Sequence, residues 1–323
     1  MPTKTKRMML TCALIFGSLT LACSSGVTVQ SDNATGDRTN SQKPKADDER
    51  TRELRNQIEQ IAAAAQGRVG VAATLLETGE SISFHPDEHF PMQSVYKLPI
   101  GMAALQQVDA GKINLAQRVR VERSDFVRAG QHSPVRDKNP NGTELSVGEL
   151  LRFMVSESDG TASDVLLKLV GGAEVVSKFL NELKVTEIVV ANTEKEIGQD
   201  RETQYRNWAS PQGAIALLRA LHERRRLSEQ SQALLLKLMI ESPTGPKRLK
   251  GLLPANTIVA HKTGTSGTVN GVTAATNDIG LVTLPNGQHL AIAVFVADSP
   301  ADSTTREGVI ARITRAVYDE ITQ

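Results

Sequence analysis

Gln93-Ser94-Val95-Tyr96-Lys97 opens the first long helical stretch of this chain, and the residues on either side of it decide the fold. From there onward, 95–110, 147–155, 162–170, 173–183, 212–221 and 229–240 carry apolar residues at helical spacing. Ser146-x-x-Glu149 offers the second of these a capping box, and Ser210-Pro211 offers the fifth a cap and a first-turn proline. Upstream, 68–77 is rich in β-formers, Thr78-Gly79 is a turn and 81–84 alternates, which predicts a hairpin. Beyond the helices, 257–262, 272–284 and 289–297 read as strands, the last two joined at Pro285-Asn286-Gly287, and a closing helix covers 304–321. Strands at both ends with helices between them predict an α/β (α+β) fold. An antiparallel sheet flanked by helices is built from both chain ends (51–90 and 241–323), with an all-α domain (91–240) inserted in its middle. A functional site is expected at the seam.

Outside this frame the chain changes character. A basic stretch (Lys4, Lys6, Arg7), the apolar run 8–21 and a small residue, Ala22, read as a signal peptide over 1–22, too short to span a bilayer. Thr20-Leu21-Ala22-Cys23 resembles a lipoprotein box that would put a lipid anchor on Cys23, with ordinary cleavage after Ala22 as the alternative. Either route predicts export to the periplasm. Cleavage would change the formal charge from +1 to −2, a balance that suits neither nucleic acid nor an anionic membrane. The other cysteine, Cys12, lies in the signal, so the mature chain would hold no internal disulfide. The residues from Ser24 to Glu49 are too polar to bury a core and read, with Cys23 and Arg50, as a disordered tether over 23–50. A monomer is expected. No cofactor is expected, and no Cys or His pattern along the sequence suggests a metal.

Three short motifs carry the chemistry. Ser94 and Lys97, three apart, project from one face of a first helical turn and set a hydroxyl beside an amine. A serine hydroxyl is a weak nucleophile until a neighbouring base takes its proton, and a crowded lysine can assist. Alone, the pair would more often be a capping serine and a solvated lysine. Ser158-Asp159-Gly160, between two helices, and Lys262-Thr263-Gly264, ending an apolar strand, change that weighting. In this order the three resemble the signature of serine β-lactamases and penicillin-binding proteins.

From about Thr51 to the C-terminus the order and spacing resemble class A β-lactamases, in an extended-spectrum-like branch. The resemblance implies the β-lactamase/DD-peptidase fold and β-lactam substrates. It makes Ser94 the nucleophile, Lys97 a proton relay and Ser158 the donor to the leaving nitrogen, with Lys262 holding Ser158 and the substrate carboxylate. Thr263 and Thr265 would bind that carboxylate, the backbone N–H groups of Ser94 and Thr265 would form the oxyanion hole, and position 160 would face the substrate side chain. The base that activates the deacylating water would be Glu194, in Glu194-Lys195-Glu196-Ile197-Gly198, with Glu196 as the alternative frame. Arg248 would reach the substrate carboxylate; a solvated basic turn with Lys247 and Lys250 is the alternative. His261, Trp208 and Arg224-Arg225-Arg226 read as packing or surface features.

Four departures from the resemblance stand out. Gly160 replaces an Asn, which leaves substrate preference open, and Gly198 replaces an Asn that helps hold the water. Lys195 replaces a Pro, so a trans bond is expected after Glu194. Pro99 is expected to strain the second turn of its helix. Two competitors remain: a penicillin-binding DD-peptidase, which lacks the deacylating Glu, and a non-catalytic penicillin-binding lipoprotein.

Overall fold

The computed structural model describes residues 43–323, so the signal peptide, Cys23 and most of the tether lie outside the described residues. Helix α1 (Lys43–Ala63) begins inside the stretch read as a tether and runs into the strand β1 (Arg68–Leu75), which turns back as β2 (Ser81–Phe84). Then come β3 (Phe90–Pro91), a 3-10 turn over Gln93–Tyr96, and α2 (Lys97–Asp109). The middle holds β4 (Arg118–Val121), α3 (Pro134–Lys138), β5 (Thr143–Ser146), α4 (Val147–Val155), α5 (Gly160–Val170) and α6 (Ala173–Glu182). There follow β6 (Ile188–Val189), α7 (Glu194–Ile197), β7 (Trp208–Ala209), α8 (Pro211–His222) and α9 (Glu229–Ile240). The chain closes with β8 (Val259–Thr265), β9 (Thr268–Val269), β10 (Val272–Thr283), β11 (His289–Ser299) and α10 (Ser303–Thr322).

The main sheet has the order β2-β1-β11-β10-β8, with β9 paired to β10, and every pairing is antiparallel. Arg68 lies opposite Ala297 and Leu75 opposite Leu290, so the chain's two ends are joined along a full strand. Leu290 to Ala297 is buried without a break because helices cover both faces of the sheet. Leu290, Ile292, Val294 and Val296 join the core with α1 and α10, including Ile58, Ile310, Ile313 and Val317. Ala291, Ala293, Phe295 and Ala297 point the other way, into the core shared with α2, α4, α5, α8 and α9. Each buried Ile, Val or Phe contributes about 1.5–3 kcal/mol relative to exposure, so the period-2 alternation of one strand ties both cores together.

Local signals place the helices around the site. Ser146 accepts from the Glu149 N–H while Glu149 reaches back, closing the expected capping box on α4. Asp159 caps α5 through the Ala162 N–H, and Ser210 caps α8 with Pro211 at its first position. Pro99 does not strain a second turn. The 3-10 turn delays the α-helix to Lys97, which leaves Pro99 in the first turn, where an N–H has no intrahelical partner to lose. Among the described residues no peptide bond is cis, and the bond after Glu194 is trans. No described helix is long and apolar enough to cross a membrane.

Candidate active site

Two residues with positive φ frame the site: Gln93 (φ 48°), just before Ser94, and Ser158 (φ 60°). Non-glycine residues hold such angles only where their surroundings over-determine them. At Gln93 the surroundings are β8 and the 203–206 turn. The Gln93 amide donates to Gln204 Oε1 at 2.7 Å, and a Cβ on Gly264 would overlap the Met92 carbonyl oxygen. Glycine at the third position of Lys262-Thr263-Gly264 therefore lets β8 lie directly against the turn that presents Ser94.

Lys97 is buried and has three partners. Its Nζ lies 2.9 Å from Ser94 Oγ, 2.8 Å from the Ser158 carbonyl and 3.1 Å from Glu194 Oε2. On the facing side Lys262, also fully buried, donates to Ser158 Oγ at 2.9 Å. Burial, and then the charge of Lys97, holds the Lys262 amine well below its ordinary pKa. The two hydroxyls thus each face a lysine amine, and charge on one amine disfavours charge on the other across Ser158.

The structure separates Glu194 from Glu196. Thr193 caps α7, and the Glu196 carboxylate completes the box by accepting from the Thr193 N–H at 2.8 Å. Glu196 is occupied in holding its own helix end. Glu194 points inward, where Oε2 accepts from Tyr96 Oη at 2.8 Å as well as meeting Lys97. Burial, and then the charges of Glu194 and Asp164, push the Tyr96 phenol well above its usual pKa, so its proton stays available to Glu194. Asp164 on α5 accepts from the N–H groups of Glu194 (2.6 Å) and Lys195 (2.9 Å) and so anchors the start of α7. Its own pKa is raised to about 7, chiefly by burial, against the pull of those N–H bonds and with the help of the Glu194 charge.

Arg248 is buried rather than part of a solvated turn. Its guanidinium donates to Thr265 Oγ1 (2.8 Å), Gly264 O (3.2 Å) and Asn277 O (3.0 Å), and pairs with Glu307 at 3.1 Å. Thr263 Oγ1 shares a 2.7 Å hydrogen bond with Thr244. Lys247 is exposed and Lys250 is half-buried against the Ile240 and Ser242 carbonyls, whereas Arg248 reaches the strand.

Both unusual glycines stand in crowded places. A Cβ on Gly198 would come within 2.5 Å of the Gln131 side chain, whose amide donates to the Glu194 carbonyl. Gln131 occupies the space that a side chain at 198 would need. Gly160 stands against Glu194 itself. His261 pairs with Asp278 at 2.9 Å in the core, Trp208 stacks on His89 at 3.5 Å, and Arg224, Arg225 and Arg226 pair with surface carboxylates. All three match their expected packing or surface roles.

Ser94, Ser158, Glu194, Thr263, Thr265 and Arg248 line one cavity of about 680 Å³, together with Gln131 and Gly198. Gly160 is buried against Glu194 and is not among the lining residues. Tyr96, Asp164 and Gln131 were not apparent from the sequence. Tyr96 stands inside Ser94-x-x-Lys97 and passes for filler there, while Asp164 and Gln131 acquire their partners only through the crossing of α5 and the 128–132 loop with α7.

A sequence model of the β-lactamase enzyme family matches residues 53–321. The β-lactamase VEB-1 of Pseudomonas aeruginosa is 42% identical over 271 residues, covering 83% of this chain and 90% of that one. The extended-spectrum β-lactamase PER-1 of the same species is 45% identical over 267 residues, covering 82% and 86%. Among solved structures, a β-lactamase from Chitinophaga pinensis superposes with a TM-score of 0.81 at 45% identity, over 83% of this chain and 99% of that one. The TLA-3 extended-spectrum β-lactamase gives 0.82 at 42%, over 84% and 100%. With the fold, the three motifs and these relatives in agreement, the chain belongs to the β-lactamase enzyme family, in class A.

Proposed function

We propose that Ser94 is the nucleophile of this class A serine β-lactamase and that Glu194 activates the water that frees it. Hydrolysis of this kind underlies resistance to β-lactam antibiotics. The observation that carries the proposal is the chain of contacts from Glu194 Oε2 through Lys97 Nζ to Ser94 Oγ, at 3.1 and 2.9 Å. Lys97, in contact with Ser94, can take its proton in acylation, while Glu194, one contact further, is kept for the water of deacylation.

In acylation the Ser94 proton leaves through Lys97 as Oγ attacks the lactam carbonyl. The oxyanion is held by the N–H groups of Ser94 and Thr265, the carbon–nitrogen bond breaks, and Ser158 passes its proton to the nitrogen. Lys262 stabilises the Ser158 oxygen and replaces its proton through the same hydrogen bond, and the proton that Lys97 took from Ser94 then restores Lys262, leaving Glu194 free as a base. In deacylation Glu194 takes a proton from water, the hydroxyl adds to the ester carbonyl, and Ser94 leaves with a proton returned. Thr263, Thr265 and Arg248 bind the substrate carboxylate, with Arg248 acting partly by orienting Thr265. Penicillins and cephalosporins are the expected substrates.

Export to the periplasm, with a lipid on Cys23, is supported by the pattern of the first 23 residues.

Intact-protein mass spectrometry with a penicillin tests the assignment. The unmodified protein should turn over without a lasting adduct, and Glu194→Gln should accumulate a penicilloyl ester on Ser94. A stable adduct on the unmodified protein would favour a DD-peptidase, and a Glu194→Gln protein that never acylates would overturn the division of roles.

A further inference from the structure

At the end of the sheet away from Lys262 and Thr265, three elements bring two imidazoles and a carboxylate together. Glu77 stands in the turn after β1, His222 is the last residue of α8, and His289 is the first residue of β11. Glu77 Oε1 lies 2.8 Å from His289 Nδ1 and 3.8 Å from His222 Nε2, and one ligand atom from each residue falls within 4.8 Å of the others. The two rings are 4.5 Å apart between centroids. From these positions we propose that Glu77, His222 and His289 form a surface site for a divalent transition-metal ion of the zinc class.

The donor set selects the metal. Two imidazole nitrogens and one carboxylate oxygen suit Zn²⁺, Ni²⁺ or Cu²⁺, whereas Mg²⁺ and Ca²⁺ favour all-oxygen shells. A tetrahedral ion with bonds of about 2.0–2.1 Å separates its donors by about 3.3–3.5 Å, between the two distances found here. Small rotations of the Glu77 carboxylate and the His222 ring would equalise them. All three side chains are about one-third exposed, which leaves a fourth position open to water.

The surroundings favour loading over a plain hydrogen-bonded cluster. The His289 N–H of the backbone donates to Glu77 Oε2 at 2.9 Å, which fixes the carboxylate and leaves Oε1 for the ion. An ion would take the place of the proton between Glu77 Oε1 and His289 Nδ1, with the ring proton of His289 on Nε2. Arg219 sits nearby, engaged with Glu223 and the Leu76 carbonyl. The bound ion would pin the end of α8 to the ends of β1 and β11. Sequence spacing hides the site because its residues lie in three distant segments.

The test is calorimetric titration of untagged, chelator-treated protein with ZnCl2, together with thermal unfolding. One equivalent of Zn²⁺ should bind, and a hundredfold excess over Kd should raise the Tm by about 5 °C, while MgCl2 does neither. His222→Asn and His289→Asn should each abolish the binding heat and the Tm rise while hydrolysing a chromogenic cephalosporin at the unmodified rate. His85→Asn, away from the cluster, should retain full binding. No zinc binding by the unmodified protein, or equal binding by His222→Asn and His289→Asn, would overturn the proposal.

Discussion

A Cβ placed on Gly160 would stand 2.7 Å from Cγ of Glu194, closer than two unbonded carbons can rest. Val127 and the His132 carbonyl close the other sides at 3.2 and 3.3 Å, so the crowding has no easy relief. Glycine at the third position of Ser158-Asp159-Gly160 is thus the condition for Glu194 to lie where it does. Gly160→Asn should displace Glu194 and slow deacylation about 10- to 100-fold, since misplacing a catalytic group by about 1 Å carries a cost of that order. Acylation should suffer less. Stopped-flow kinetics with a cephalosporin should show a burst followed by a slow steady state; a Gly160→Asn enzyme with unchanged kcat would contradict this.

Tyr96→Phe removes one of the two groups that hold Glu194 Oε2 and leaves Lys97 alone with it. The ring fills the same buried space, so stability should fall by about 1–3 kcal/mol, since the change also takes the acceptor from the buried Ser163 hydroxyl. The kcat should fall several-fold with KM little changed. If kcat holds while KM rises, Tyr96 serves substrate binding instead.

Asp164 sets a slope in stability with pH. Its pKa is about 7 in the folded protein against about 3.9 in an unfolded chain, so between about pH 4 and 7 the folded state keeps a proton that the unfolded state has released. With more protons bound when folded, stability falls as pH rises across that window, by up to about 4 kcal/mol. Asp164→Asn should flatten this segment of the Tm–pH curve. An unchanged slope in the variant would assign it to other groups.

Arg248→Ala should raise KM for penicillins at least tenfold, since it deprives Thr265 of its 2.8 Å partner and the substrate carboxylate of a cation. The same change strands Glu307 and two strand carbonyls, and truncating one partner of a buried pair costs about 3–5 kcal/mol. Arg248→Lys should recover part of the stability but little of the affinity, because an ammonium cannot reproduce the planar fork. A KM unchanged in both variants would leave Arg248 a purely structural residue.

Elements with their own caps and periodicity are legible in the amino-acid sequence. α4 with Ser146 and Glu149, α9 from Glu229 to Ile240, and β10 and β11 around Pro285-Asn286-Gly287 fall where spacing and turn chemistry place them. The two-residue strands β3, β6 and β7 are not, because a pair such as Phe90 with Ala209 has no period and exists only through the fold. The same division runs through the site. Ser94, Lys97, Ser158 and Lys262 belong to short motifs; Tyr96, Asp164 and Gln131 belong to contacts across segments. The frame Glu194-x-Glu196 favours Glu194 but leaves Glu196 open, since the inward residue depends on which carboxylate closes the cap at Thr193.

The pairing of β1 with β11 has a consequence for how the protein comes into being. While the chain is being synthesised, β1 emerges early and waits, its partner edge bare, until the residues from His289 to Ser299 have left the ribosome. Contacts of such long sequence separation slow folding and leave an open strand edge exposed meanwhile. A nascent chain therefore carries Ser94 and Lys97 long before it carries a working enzyme, and a transcript cut short before codon 289 should yield an aggregation-prone fragment with no hydrolytic activity.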